Sequence, residues 1–311
     1  VATSQMYFTQ YFNFTAVQQG WVISSAGYGC FLGAISAGYL TSALSRKYTL
    51  ILAAVLYIIS AAGSGMADSL SVMVSYRIIL GLSLGMIAMT SPMYIAEISP
   101  HNIRGKMVTY HQLAMVVGFI LPFLISLLIN TGDTSHTDRV NFGWRLMFWF
   151  EIVPAVFFFG FLFAIPHSPR WLMLKGRDQQ ALVVLNQLVD DPQESKSEYR
   201  LIAKSLSETK APARKLLFKN GLAFALFIGI LLAIFQQATG IVAILIYSGE
   251  IFSQALGYGP EQSLIPQLWV SLVNLVFTFV AIYTVDSWGR KPLLMLGMSG
   301  MLLGLLALSL S

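Results

Sequence analysis

Charge is what this chain has least of. Only 11% of its 311 residues are Asp, Glu, Lys or Arg, against roughly 25% in an ordinary soluble domain. With 56% hydrophobic residues and a mean hydropathy of +0.69, a soluble globular protein is excluded and an all-α integral membrane protein is expected. Cysteine is reduced to Cys30, so no internal disulfide forms and redox compartment stays unread. The four histidines, at 101, 111, 136 and 167, lack metal-ligand spacing. No nucleophile stands beside a base and no phosphate loop is present, so an enzyme and a primary ATP-driven pump are not supported and no cofactor is expected. No basic stretch precedes an apolar core at the N-terminus, which argues against a cleaved signal peptide. Period-two alternation over about ten residues is also missing, and that excludes a β-barrel.

What the chain does have is long apolar runs. Eight segments of about 18 to 25 residues can be marked off, each long enough to cross roughly 30 Å of hydrocarbon as a helix. The net charge of +5 is explained by its distribution, not by a nucleic-acid partner. Sixteen of the 19 Lys and Arg fall at 43–48, 100–107, 167–220 and 286–292. Alternate threading puts all four loops on one side, and the positive-inside rule makes that side cytoplasmic. Arg139 and Arg145 lie on the opposite side, and Arg77 lies inside a span. The uncharged residues 1–19 come out external, so the threading expects one more helix upstream.

Span one, 20–40, carries Gly27, Gly29, Gly33 and Gly38, small residues that let helices approach. Span two, 48–66, is featureless and is expected to face lipid on one side. Span three, 71–95, holds Arg77, Gly81, Gly85, Pro92 and, just beyond, Glu97. Span four, 108–129, has His111 and Gln112 near its cytoplasmic end and Pro122 as a kink. Trp144 and Arg145 suit an interfacial anchor. Span five, 146–165, includes Glu151, for which Arg77 is the available partner. Asn13-Phe14-Thr15 matches a glycosylation sequon, read as chance so close to the membrane.

After Pro166 the composition turns polar and basic. Helical spacing of Ala181, Leu182, Val184, Leu185 and Leu188 behind Asp178 predicts an amphipathic helix with Asp178 as N-cap. Ser195-Lys196-Ser197-Glu198 predicts a capping box for a second. Span six, 221–252, contains Gln236-Gln237 at its midpoint, with Thr239-Gly240 offering a helix break. Adjacent amides at mid-membrane are how a transporter builds a polar site. Span seven, 265–285, precedes Asp286 and the turn to Arg290-Lys291, and span eight follows.

Arg46-Lys47 after span one and Arg290-Lys291 after span seven stand at the same offset six spans apart. A six-span repeat of equal topology is the plan of transporters that rock two halves around a central site. The residues also resemble the sugar porters of the major facilitator superfamily. The resemblance rests on Arg77 to Gly105, on Pro166-His167-Ser168-Pro169-Arg170-Trp171, on Phe235-Gln236-Gln237 with Gly240-Ile241, and on Asp286 to Lys291. It runs over nearly the whole chain. It implies a major facilitator fold, with the eight spans as helices two to nine of a twelve-helix, two-bundle transporter. Residues 1–166 would be the first bundle, 167–220 a cytoplasmic linker and 221–311 the start of the second bundle.

The resemblance implies that Gln112, Gln236 and Gln237 bind sugar hydroxyls, with Tyr247 beside them. It places Arg77 and Glu151 in a charge system that couples protons. Amides suit polyols because each offers donor and acceptor together; interhelical hydrogen bonding is the alternative for them, and a structural buried pair is the alternative for Arg77 and Glu151. Glu97, Arg104, Arg170, Asp286 and Arg290, at cytoplasmic span ends, are expected to form gate salt bridges, or else to be solvated charges. Val242 stands where the family has Asn, Ile246 where Tyr is common, Ser42 and Ala43 replace charged or polar residues of the first basic turn, and His167 replaces a Glu. The expected partners are a small-molecule sugar, protons and membrane lipid, with no nucleic acid. Proton symport of a pentose or hexose leads, with a facilitative uniporter and a non-transporting sugar sensor as alternatives.

Overall fold

The computed structural model describes residues 4–100, 103–131, 139–189, 191–208, 222–240 and 264–310, with 244, 247, 251 and 257. Among these there is no strand. The helices are α1 (Gln5–Phe12), α2 (Ala16–Ala43), α3 (Arg46–Gly65), α4 (Leu70–Ile98), α5 (Arg104–Thr131), α6 (Trp144–Phe150), α7 (Ile152–Ala164), α8 (Pro169–Leu174), α9 (Asp178–Leu188), α10 (Pro192–Glu208), α11 (Leu222–Ala238), α12 (Leu264–Trp288) and α13 (Arg290–Leu310). A π-helical turn, Arg139–Gly143, leads into α6.

Five helical stretches among the described residues are long and apolar enough to cross a membrane: Arg46–Gly65, Leu70–Ile98, Arg104–Ser126, Val140–Ala164 and Ile265–Thr284. Helix α2 has the length, at 28 residues, but glycine and serine dilute its hydropathy. Ala223–Ala238 and Lys291–Ala307 are apolar but shorter.

The packing of α2, α3 and α4 forms the best-buried part of the bundle. Gly29 and Gly33 of α2 lie against the backbone of α4, and Gly81 and Gly85 of α4 lie against the backbone of α2. A Cβ on any of the four would strike a main-chain atom of the other helix. Gly27 faces open space and Gly38 meets only the end of the Met89 side chain, so half of the predicted glycine stripe makes the crossing. Helix α3 exposes Tyr48, Leu52, Ile59 and Met66 along one side, as a lipid-facing helix should. Its other side is not featureless. Ser60 Oγ donates to Tyr76 O at 2.6 Å and Ser83 Oγ of α4 donates to Ala53 O at 2.7 Å, which ties α3 to α4 by polar bonds that lipid cannot compete for.

Three local expectations are corrected. Trp144 and Arg145 are not an interfacial anchor: Trp144 is 0% exposed in a cluster with Tyr7, Phe8, Met73 and Phe148. Arg145 donates to Gly65 O at 2.8 Å, Ala67 O at 3.1 Å and Asp68 Oδ1 at 3.2 Å, with its guanidinium 4.3 Å over the Trp144 ring. It therefore clamps the C-terminal end of α3. Ser195 is no N-cap, because α10 already starts at Pro192, behind Asp191, whose Oδ1 accepts from Gln193 N at 2.9 Å. Proline at the first helical position is compatible with that start, since it has no N–H to satisfy there. Ser195 Oγ instead donates to Asn186 Oδ1 at 2.6 Å, joining α9 to α10. Asp178 is the first residue of α9, with Arg177 in the capping position. The sequon residues have structural roles, with Asn13 ending α1 at φ 51° and Thr15 capping α2 in a capping box with Gln18.

Candidate functional site

The polar groups gather at three levels. At the end of the bundle where α4 meets α8, Glu97 near the close of α4 accepts from Arg46 Nη2 at 2.7 Å and from Ser168 Oγ at 2.5 Å. Arg46 and Glu97 have side chains only 8% and 11% exposed, and Arg46 Nη1 donates to Thr41 O at 3.2 Å. One carboxylate thus joins the start of α3, the end of α4 and the N-cap of α8, whose Trp171 N–H bonds to Ser168 Oγ. Lys47 Nζ donates to Phe163 O at 2.9 Å and Ile165 O at 2.8 Å, where a cation suits the end of α7. Tyr94 OH donates to Pro166 O at 2.7 Å, and Trp171 Nε1 to Ser42 O at 3.2 Å.

Arg104 and Arg170, expected in the same gate, line a small cavity of about 70 Å³ with Glu97 and Glu198. Arg104 Nη2 reaches Ser99 O at 3.5 Å, and no ion pair joins Arg104 or Arg170 to Glu97. Asp286 and Arg290 belong to α12 and α13, and their side chains lie outside the described residues. Arg46 and Ser168, which hold the Glu97 carboxylate, are the partners that sequence reasoning missed. The signal was Glu97 itself, a carboxylate at a span end that needs a cation, with the Arg46-Lys47 turn beside it. His167 stacks on Trp171 at 5.6 Å and places Nδ1 3.3 Å from Ser45 Oγ. Burial, then Lys47 and Arg177, hold its pKa below the ordinary histidine value, so the neutral ring is favoured.

At mid-span, Glu151 occupies the break between α6 and α7, with its N–H bonded to Phe148 O at 3.2 Å. Its carboxylate accepts from Tyr57 OH at 3.3 Å. Both line a cavity of about 470 Å³, otherwise walled mainly by apolar groups such as Leu121, Pro122, Met147 and Phe157. Arg77 is 4% exposed and lies near enough to Glu151 to feel its charge. It makes no ion pair within 4.0 Å with a described residue, and its Nε and Nη1 are buried without a hydrogen-bond partner. Tyr57 was also missed. A phenol in the middle of an apolar span needs a partner for its hydroxyl, and that requirement was readable.

The amides sit apart from one another. Gln112 on α5 borders a second cavity of about 420 Å³ with His111, Thr109, Ala88 and Pro92. Gln236 and Gln237 are exposed in the last turn of α11. The helix stops there as the Thr239-Gly240 pair predicts: Thr239 Oγ1 donates to Gln236 O at 2.7 Å and Gly240 takes φ +75°. No hydrogen bond joins Gln112 to either. Tyr247 is helical and half-buried, and Val242 and Ile246 lie outside the described residues.

A bundle of long apolar helices with charged groups inside it and amides on helix faces fits a multi-pass membrane protein. The model of the family described as sugar (and other) transporter matches residues 2–311, and the chain belongs to that family. It is 35% identical over 308 residues to the arabinose-proton symporter of Escherichia coli, covering 99% of this chain and 63% of the relative. To the D-xylose-proton symporter of Escherichia coli it is 36% identical over 310 residues, covering 93% and 62%. Among solved structures, the proton:xylose symporter bound to 6-bromo-6-deoxy-D-glucose matches with a TM-score of 0.84 at 33% identity, over 94% of this chain and 66% of that one. The partially occluded inward-open xylose transporter from E. coli matches with a TM-score of 0.81 at 32% identity, over 94% and 70%. The all-helical major facilitator fold follows from these matches. The chain spans about 63% of the length of the arabinose-proton symporter.

Proposed function

We propose that the protein performs secondary-active transport of a pentose or hexose, as a proton symporter working by alternating access. The observation that carries this reading is the pair of ionisable residues inside the membrane-spanning bundle, Arg77 and Glu151, beside a cavity that reaches Tyr57. Charges at that depth are costly and mark a path for ions or substrate. Of the two, only the carboxylate can change protonation, since guanidinium holds its proton. Gln112, Gln236, Gln237 and Tyr247 supply the sugar site. The basic loops 43–48, 100–107, 167–220 and 286–292 face the cytoplasm. Residues 1–166 form one bundle, 167–220 link it, and 221–311 begin the second. Glu97 with Arg46 closes the cytoplasmic side, where Arg104, Arg170, Asp286 and Arg290 also belong, and the Arg46–Glu97 salt bridge breaks when it opens.

Uptake of radiolabelled D-xylose, L-arabinose and D-galactose into vesicles carrying the full-length protein tests the reading. Accumulation should collapse when a protonophore is added. Equilibration without accumulation would mean facilitated uniport, and binding without uptake a sensor. Gln236→Ala should weaken sugar binding about tenfold, near the upper end of one neutral hydrogen bond. Unchanged affinity would remove Gln236 from the site.

A further inference from the structure

Glu151 has two neighbours competing for its carboxylate. Arg77 on α4 is the stronger by charge, yet the carboxylate bonds to the Tyr57 hydroxyl on α3 at 3.3 Å and leaves the guanidinium outside ion-pair distance. Several features make this arrangement more than a chance contact. Glu151 sits at the break between two helices, where Pro154 one turn on cannot donate to the carbonyl of Phe150. The bond lies on the wall of the 470 Å³ cavity, where the other lining residues are apolar apart from Ser4. Among the described residues that line the cavity or act on Glu151, α3 offers Tyr57, α4 offers Arg77, the N-cap of α1 offers only Ser4, and the lining part of α5, Gly118 to Ile125, offers no ionisable group.

We infer that Tyr57 is a positioning residue for proton coupling, holding the Glu151 carboxylate at the cavity wall, away from Arg77 and open to protons entering with the sugar. The inference rests on the symport reading. Without the hydroxyl, Glu151 is free to swing to Arg77 and form an ion pair. A proton then has to displace a buried guanidinium to reach it, and coupling suffers while the sugar site on the other helix faces is untouched.

The test is Tyr57→Phe in vesicles, which keeps the ring and removes one oxygen. Two quantities are compared using whichever of labelled D-xylose, L-arabinose and D-galactose the wild type takes up: proton-driven accumulation, and sugar counterflow, which exchanges sugar without net proton movement. Accumulation should fall about tenfold more than counterflow, the scale of one hydrogen bond to a charged group. In a Glu151→Gln background the same substitution should add no further loss, since Tyr57 acts through the carboxylate. Equal loss of both rates would assign Tyr57 to packing, and no loss, or full additivity with Glu151→Gln, would overturn the proposal. If wild-type accumulation itself ignores the protonophore, the symport reading falls and takes this one with it. If the wild type is protonophore-sensitive and only Tyr57→Phe misbehaves, the symport reading stands.

Discussion

Ser45 opens α3 with φ 101° and ψ 160°, a region left almost entirely to glycine, where another residue costs about 1–3 kcal/mol. Its counterpart by the Arg-Lys offset is Gly289, which takes φ +84°. The shared offset thus extends from sequence into backbone conformation, with serine at the strained position in one turn and glycine in the other. The serine has compensations: its hydroxyl accepts from Tyr48 N at 3.4 Å and lies 3.3 Å from His167 Nδ1. Exchanging serine for glycine at an N-cap loses only a few tenths of a kcal/mol, so relief of strain should win. Ser45→Gly is expected to stabilise the protein by about 1 kcal/mol, seen as a higher Tm in detergent. A lower Tm would mean that the contact with His167 outweighs the strain. The Arg-Lys turns were legible in the sequence because residue identity carries them. The strain was not, because a dihedral angle leaves no mark on composition.

Whole helices were the most legible level. Apolar runs and bounding basic turns foretold α3, α4, α5 and α12 to within a few residues, and Thr239-Gly240 foretold the end of α11. Partners were harder. The glycines at 27, 29, 33 and 38 looked alike in the sequence, yet only Gly29 and Gly33 meet α4. Identity decides whether a close approach is available, and the crossing point of two helices decides where it is used. That difference makes a paired prediction. Gly85→Ala puts a methyl group into the carbonyl oxygen of Cys30, and with backbone on both sides neither helix can yield by a rotamer change. It should destabilise by about 1–3 kcal/mol. Gly27→Ala points into open space and should stabilise by about 0.5–1 kcal/mol through helix propensity. Both are read from thermal unfolding of the purified protein, and a similar shift for the two would disprove the close crossing of α2 and α4.

Across the whole molecule, the pairing of the charges expected at the cytoplasmic gate needed the fold. Sequence reasoning grouped Glu97 with Arg104 and Arg170, which follow it in the chain or in a quoted motif. The ion pair it makes is with Arg46, from a turn set aside as a topology signal. A salt bridge forms across the space between helices, and the sequence does not record that distance. Glu97 is consequently the residue through which α3, α4 and α8 share one charge, and its removal should be felt by all three. Glu97→Gln leaves Arg46 buried and unpaired, and breaking one side of such a pair costs about 3–5 kcal/mol. Arg46→Gln in the same chain removes the stranded charge, so the double variant should recover part of the loss. Arg104→Gln, which gives up only a 3.5 Å contact to Ser99 O, should cost well under either single change at the pair. Thermal unfolding in detergent, together with protease cleavage within the basic segment 167–220, measures all four proteins. Glu97→Gln should unfold earliest and be cut fastest. If the double variant is as unstable as the sum of its parts, Arg46 and Glu97 act independently.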